Sequence, residues 1–141
     1  EALLLGYTEK IRKNVSMPFM VTGGFRTLEG MNYALKSWVC DIIGIARTLC
    51  GDPNSAGNLI KENITELPSY EKTLQIGRGF LSTSSRFLLI QALNAFSQMA
   101  WFYMQIKRMG DGNDPSMKLG ILKAYRLNGK DEKRVLKSLD V

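Results

Sequence analysis

Two short apolar runs, residues 17–21 (MPFMV) and 40–46 (CDIIGIA), limit what this chain can fold into more than any other feature. Neither alternates apolar with polar, so each reads as a strand buried on both faces, as in a parallel sheet. Pro18 and the pair Gly23-Gly24 bound the first run, and Arg47 closes the second. Ahead of the first run, Leu3, Leu4, Tyr7 and Ile11 recur at helical spacing and predict an amphipathic helix over 2–14. Asn14 ends it, and Pro18 blocks its continuation. Between the runs, Leu28, Met31, Leu35 and Trp38 form one stripe of a helix over 27–38, with Thr27 as its cap and Glu29 at its positive end. Helix, strand, helix, strand with short connections predicts βα units and a parallel sheet.

The second half reads differently. Gly51-Asp52-Pro53-Asn54 is a turn, Ser55 caps a short helix reaching Asn63, and 65–80 is irregular. Residues 83–109 then carry a long helical pattern in which the stretch 87–106 holds no charge over twenty residues. That length invites a transmembrane reading. Against it, Gln91, Asn94, Gln98 and Gln105 fall on one polar stripe, for which lipid has no partner. A core or interface helix is favoured, with Trp101, Phe102 and Tyr103 as anchors. Gly110, Gly112 and Pro115 end it, and two weaker helical stretches follow, 116–127 and 131–139.

Composition narrows the chemistry. The 141 residues include no histidine, which removes Ser-His and Cys-His couples and imidazole-bound zinc from this chain. Cys40 and Cys50 are too few for a thiolate cage, and they read as two buried thiols in a reducing compartment, the cytoplasm or its like. The net charge of +6 comes from residues spread along the chain, apart from a C-terminal group interleaved with Asp131 and Glu132. That pattern is a solvated helix face rather than a nucleic-acid stripe. The first residue is Glu, and helical pattern starts at once, so the chain reads as beginning within a longer one.

Two segments call for chemistry. In VTGGFR, residues 21–26, a strand end runs through two glycines into a helix, which lets backbone approach a ligand closely. In GIAR, residues 44–47, a second strand end closes on Ala46 and Arg47. On parallel neighbouring strands both loops leave one sheet edge, and their amides and Arg47 can converge on one phosphate. The plainer reading keeps Gly23-Gly24 as a tight turn and Arg47 as a surface charge.

The stretches MPFMVTGGFRT and CDIIGIARTLCGDP, followed by WFYMQIKRMGDGNDPSMKLGILKAY, resemble the C-terminal part of the Old Yellow Enzyme family of NADH:flavin oxidoreductases. The resemblance covers most of the chain and is weakest over 64–86 and after Tyr125. It implies an α/β fold: strands seven and eight of a TIM (β/α)8 barrel with their helices, followed by a helical C-terminal extension. The domains would be 1–63 for the last βα units, 64–82 for an irregular connection and 83–141 for the extension. It also implies an FMN cofactor reduced by NADH or NADPH, with the phosphate held near Gly23, Gly24, Ala46 and Arg47. Ala46 departs from the family, where many members have glycine; alanine suits the position if its φ is negative.

The family's substrate-anchoring pair (His-His or His-Asn), its proton-donating Tyr and its flavin-ring contacts come from earlier strands, so no catalytic residue is assigned in this chain. Nor does it carry the cysteines of the iron–sulfur subgroup. The expected function is thus the FMN-phosphate end of an ene-reductase-like enzyme, with FMN not retained by this chain alone. Its partner would be the remainder of the barrel or a larger assembly. The alternative is a non-catalytic interaction module derived from such a barrel, using helix 83–109 as its interface.

Overall fold

The computed structural model describes residues 5–139, so Leu3 and Leu4 of the expected first helix lie outside the described residues. It contains helix α1 (Leu5–Arg12), strand β1 (Met20–Thr22), α2 (Leu28–Lys36), β2 (Ile42–Gly44), α3 (Arg47–Gly51) and α4 (Ser55–Ile60). Two 3₁₀ turns (Tyr70–Lys72 and Gly79–Leu81) precede α5 (Leu88–Gly110) and α6 (Ile121–Leu139). The chain divides into two compact units, Glu1–Ser69 and Tyr70–Val141.

In the first unit β1 and β2 pair in parallel, with Met20 opposite Ile42, Val21 opposite Ile43 and Thr22 opposite Gly44. Asp41 ties the entry to both strands. Its Oδ2 accepts from the Phe19 amide at 2.8 Å, and the same carboxylate pairs with Arg12 of α1 at 2.8 Å. Thr27 caps α2 as expected, its side chain accepting from the Gly30 amide at 3.1 Å. The helix then buries Met31 and Ala34 against Val21, Phe25, Cys40, Leu59 and Leu67. Those residues, drawn from β1, α2, α4 and the segments beside them, make one core, against which Ile43 of β2 packs.

The structure does not show the expected piece of a barrel. The described residues are mostly helical, and their strands number two, each three residues long. A barrel strand needs a neighbour on each side and a length to match. Pro18 has no amide to add to the ladder, and Gly23 turns the chain at φ 103° immediately after Thr22, so β1 stays short. The expectation that both strand faces are buried also fails. Val21 is 6% exposed, but Met20 and Ile42 on the opposite face are 54% and 51% exposed. Trp38, expected on the buried stripe of α2, lies past its end at φ 57° with its ring in solvent. Ser55 is the first residue of α4 rather than its cap, and its hydroxyl donates to the Asp52 carbonyl at 2.5 Å.

In the second unit α5 starts at Leu88, five residues later than the pattern suggested. Ser85 takes the Phe87 amide on its hydroxyl at 3.2 Å, and such serine-to-backbone bonds compete with helix. Beyond it, residues 121–127 of the first weak stretch and all of the second join in the single helix α6, which Gly129 does not interrupt, while 116–120 stay outside it. Trp101 is 1% exposed, so it is no interface anchor. It packs with Ile121 and Ala124 of α6, and its indole N–H donates to the Leu119 carbonyl at 2.8 Å. The polar stripe of α5 turns inward to bind backbone. Asn94 and Gln98 hold the chain between 71 and 82, and Gln105 bonds Ser116 in both directions, at 2.9 and 2.7 Å. Among the described residues no helix is long and apolar enough to cross a membrane.

Candidate functional site

The pairing of Thr22 with Gly44 sets the C-terminal ends of β1 and β2 side by side, so the segments that follow leave the same sheet edge. Past Thr22 come Gly23 at φ 103° and Gly24 at φ 81°, both in the left-handed region that side chains avoid. A Cβ on Gly24 would meet no atom within 4 Å. Backbone conformation, not crowding, therefore calls for glycine there. Phe25, 2% exposed, then plugs the chain into the core. Arg26 is spent on structure: its Nε donates to Ser69 Oγ at 2.9 Å, and its carbonyl accepts from the Leu67 amide at 2.7 Å.

After β2, Ala46 sits at φ −133°, outside the left-handed region that favours glycine, and Arg47 opens the five-residue α3. Both are exposed, and Arg47 has no ion-pair partner among the described residues. The register thus brings the loops that carry Gly23-Gly24 and Ala46-Arg47 to adjacent strand ends. What they present is exposed backbone and one cation, which suits an anion and offers no acid, base or nucleophile.

Gly44 was not assigned a role from sequence, and the structure supplies one. A Cβ built there lies 2.3 Å from Thr22 Cγ2, so the threonine methyl occupies the space a side chain would need. An isolated glycine inside an apolar strand is the signal that marks such close approach. Asp41 had no comparable signal, because its partners Arg12 and Phe19 lie far off in sequence.

The thiols contribute no reactivity. Cys40 and Cys50 are both buried and free. Burial pushes the Cys40 thiol up, and the neighbouring Asp41 charge adds to the effect. Burial also raises Cys50, partly offset by its backbone hydrogen bond. A thiol held protonated is a poor nucleophile. No group of three or more metal-binding side chains occurs among the described residues.

No family model matches the chain, and no solved structure does. The chain is similar to a flavin oxidoreductase that uses NADH. That relative is the NADH-dependent flavin oxidoreductase iccE of Talaromyces variabilis, 27% identical over 114 residues. The alignment takes in 77% of this chain but only 26% of that protein, so the chain spans about a quarter of the relative's length.

Proposed function

We propose that this chain is part of an FMN-dependent NAD(P)H oxidoreductase and supplies the grip on the cofactor's phosphate. Gly23 and Gly24 would offer backbone amides, Ala46 another, and Arg47 a charge-assisted bond. One observation carries the reading: the parallel register from which an exposed double glycine and an exposed arginine, without an ion-pair partner among the described residues, follow adjacent strand ends. The likeness to an NADH-dependent flavin oxidoreductase supports the choice of cofactor. FMN supplies the redox chemistry once bound. The residues here bind and orient, and no proton is moved by any of them.

Substrate anchoring and proton donation then fall to the remainder of a longer polypeptide or assembly, in accord with the quarter-length match. A reducing intracellular compartment suits two free thiols. FMN is accordingly not expected to co-purify with this chain alone. Titration of free FMN, followed by flavin fluorescence, should show weak binding that riboflavin, which lacks the phosphate, does not match. Arg47→Ala should erase that difference. Equal binding of FMN and riboflavin to the unaltered chain refutes the phosphate grip.

A further inference from the structure

The second unit leaves a seam open between its two long helices. On α5, Phe96, Met99, Tyr103 and Ile106 recur at spacings of three, four and three, and each is 48–55% exposed. That repeat is the one by which a helix packs along another helix. On α6, Val135 and Leu136 face the same trough and are also more than half exposed. The trough consists of two cavities of about 710 and 610 Å³, joined through Met99, Tyr103, Asn128 and Glu132, which line both.

The charges around it are one-sided. The α5 sequence contains no acidic residue. On α6 the acidic Asp131 is already engaged by Lys107 and Arg134. Arg126, Lys130 and Lys133 line the trough, opposed there only by Glu132, which takes a hydrogen bond from Asn128 at 2.6 Å. A second copy of this chain would set the same cations against themselves. A bilayer surface is flat and does not enter a concave channel. A helix, about 10 Å across with its side chains, does. The exposed stripe on α5 spans eleven residues, a rise of about 15 Å, or roughly three turns of such a helix.

We propose that the trough between α5 and α6 is a docking site for an amphipathic helix of a partner polypeptide, with an apolar stripe at three–four spacing flanked by acidic residues. The occupant's leucine-like side chains enter between Met99, Tyr103 and Leu136, and its carboxylates meet Arg126, Lys130 and Lys133. The test uses a fluorescein-labelled synthetic helix of about 18 residues carrying leucines at that spacing and glutamates beside them. Two further probes share its design, one with lysine flanks and one with the same composition scrambled.

Anisotropy with the full chain should show saturable one-to-one binding of the glutamate peptide and at least tenfold weaker binding of the other two. Met99→Asp should abolish binding. The double variant Lys130→Glu, Lys133→Glu, which changes only exposed side chains, should weaken the glutamate peptide at least tenfold and strengthen the lysine one. It therefore keeps the test open if Met99→Asp fails to fold. Equal binding of all three peptides, or binding of none, overturns the proposal. So does a dimer in sedimentation that Met99→Asp dissociates. Adsorption to phosphatidylserine-containing vesicles, lost in Met99→Asp and unaccompanied by peptide binding, overturns it too.

Discussion

Removing the amide of Asn94 should unfold the second unit more readily than any other single polar deletion on α5. The residue is 1% exposed and works in both directions. Its Oδ1 accepts from the Ile76 amide at 2.9 Å. Its Nδ2 donates to the carbonyls of Leu81 and Ile90 at 3.0 and 2.9 Å, with Ser82 further off at 3.3 Å. Asn94→Ala strands the Ile76 amide and the Leu81 carbonyl together. A buried polar group left without a partner costs about 1–3 kcal/mol, and two of them, partly relieved by water, about 2–4 kcal/mol. The Ile90 carbonyl loses little, because a helical carbonyl keeps its own ladder bond.

The assay is urea unfolding followed by tryptophan emission in a Trp38→Phe background, so that buried Trp101 reports alone. With a slope of about 1–2 kcal/mol per M, the midpoint should fall by about 1–4 M urea. Gln91→Ala is the control. Gln91 lies on the same stripe but is exposed, and it makes one bond, to the Ser85 carbonyl at 2.5 Å. It should cost under about 1 kcal/mol. If Asn94→Ala and Gln91→Ala lower the midpoint equally, burial of the polar stripe is not what holds residues 74–82 to α5, and the reasoning fails.

Two further predictions follow from the geometry. Gly44→Ala drives a Cβ to 2.3 Å from Thr22 Cγ2 and should destabilise the first unit by about 1–3 kcal/mol in chemical denaturation. Thr22→Ala in the same chain removes the obstructing methyl, so the double variant should recover part of that loss rather than add to it. Asp131 has its carboxyl held below the ordinary value of 3.8, first by its hydrogen bond from Lys107 and then by the charges of Lys107 and Arg134. Because the folded value is the lower one, the ion pair's help is complete above the ordinary carboxylate range and is lost as pH falls through the folded value. An NMR titration of the Asp131 carboxyl should move up toward the ordinary value in Lys107→Met, and high salt should shrink the difference.

The parts of the fold legible in the sequence are those set by local rules. Thr27 announces α2, and the two apolar runs announce a parallel pair. What failed was extrapolation from that pair to a barrel. Apolar character on both faces of MPFMV and CDIIGIA was read as burial on both faces, yet Met20 and Ile42 stand in solvent. Hydrophobicity states what a side chain favours, and it does not state whether this chain contains the element that would cover it. The same gap explains Trp38 and Trp101. Both are large aromatics on helical patterns, but the first falls two residues beyond the point where α2 stops, and the second meets Ile121 and Ala124 of α6.

The polar stripe on α5 teaches the complementary lesson. Its spacing signals amides that need bonding partners, but those partners are invisible in the sequence, because they are backbone groups of segments without periodicity. A glutamine or asparagine repeated on an otherwise apolar helix specifies that something irregular must be tied down there. Residues 70–85 and 113–119 are that something. The two loops at the strand ends were legible because Gly23, Gly24 and Arg47 are conspicuous by type. Gly44, the glycine between them in the sheet, owes its place to Thr22 alone. The two strand ends thus call for glycine in two ways: at Gly23 and Gly24 a positive φ favours it, and at Gly44 the space a side chain would need is taken by Thr22.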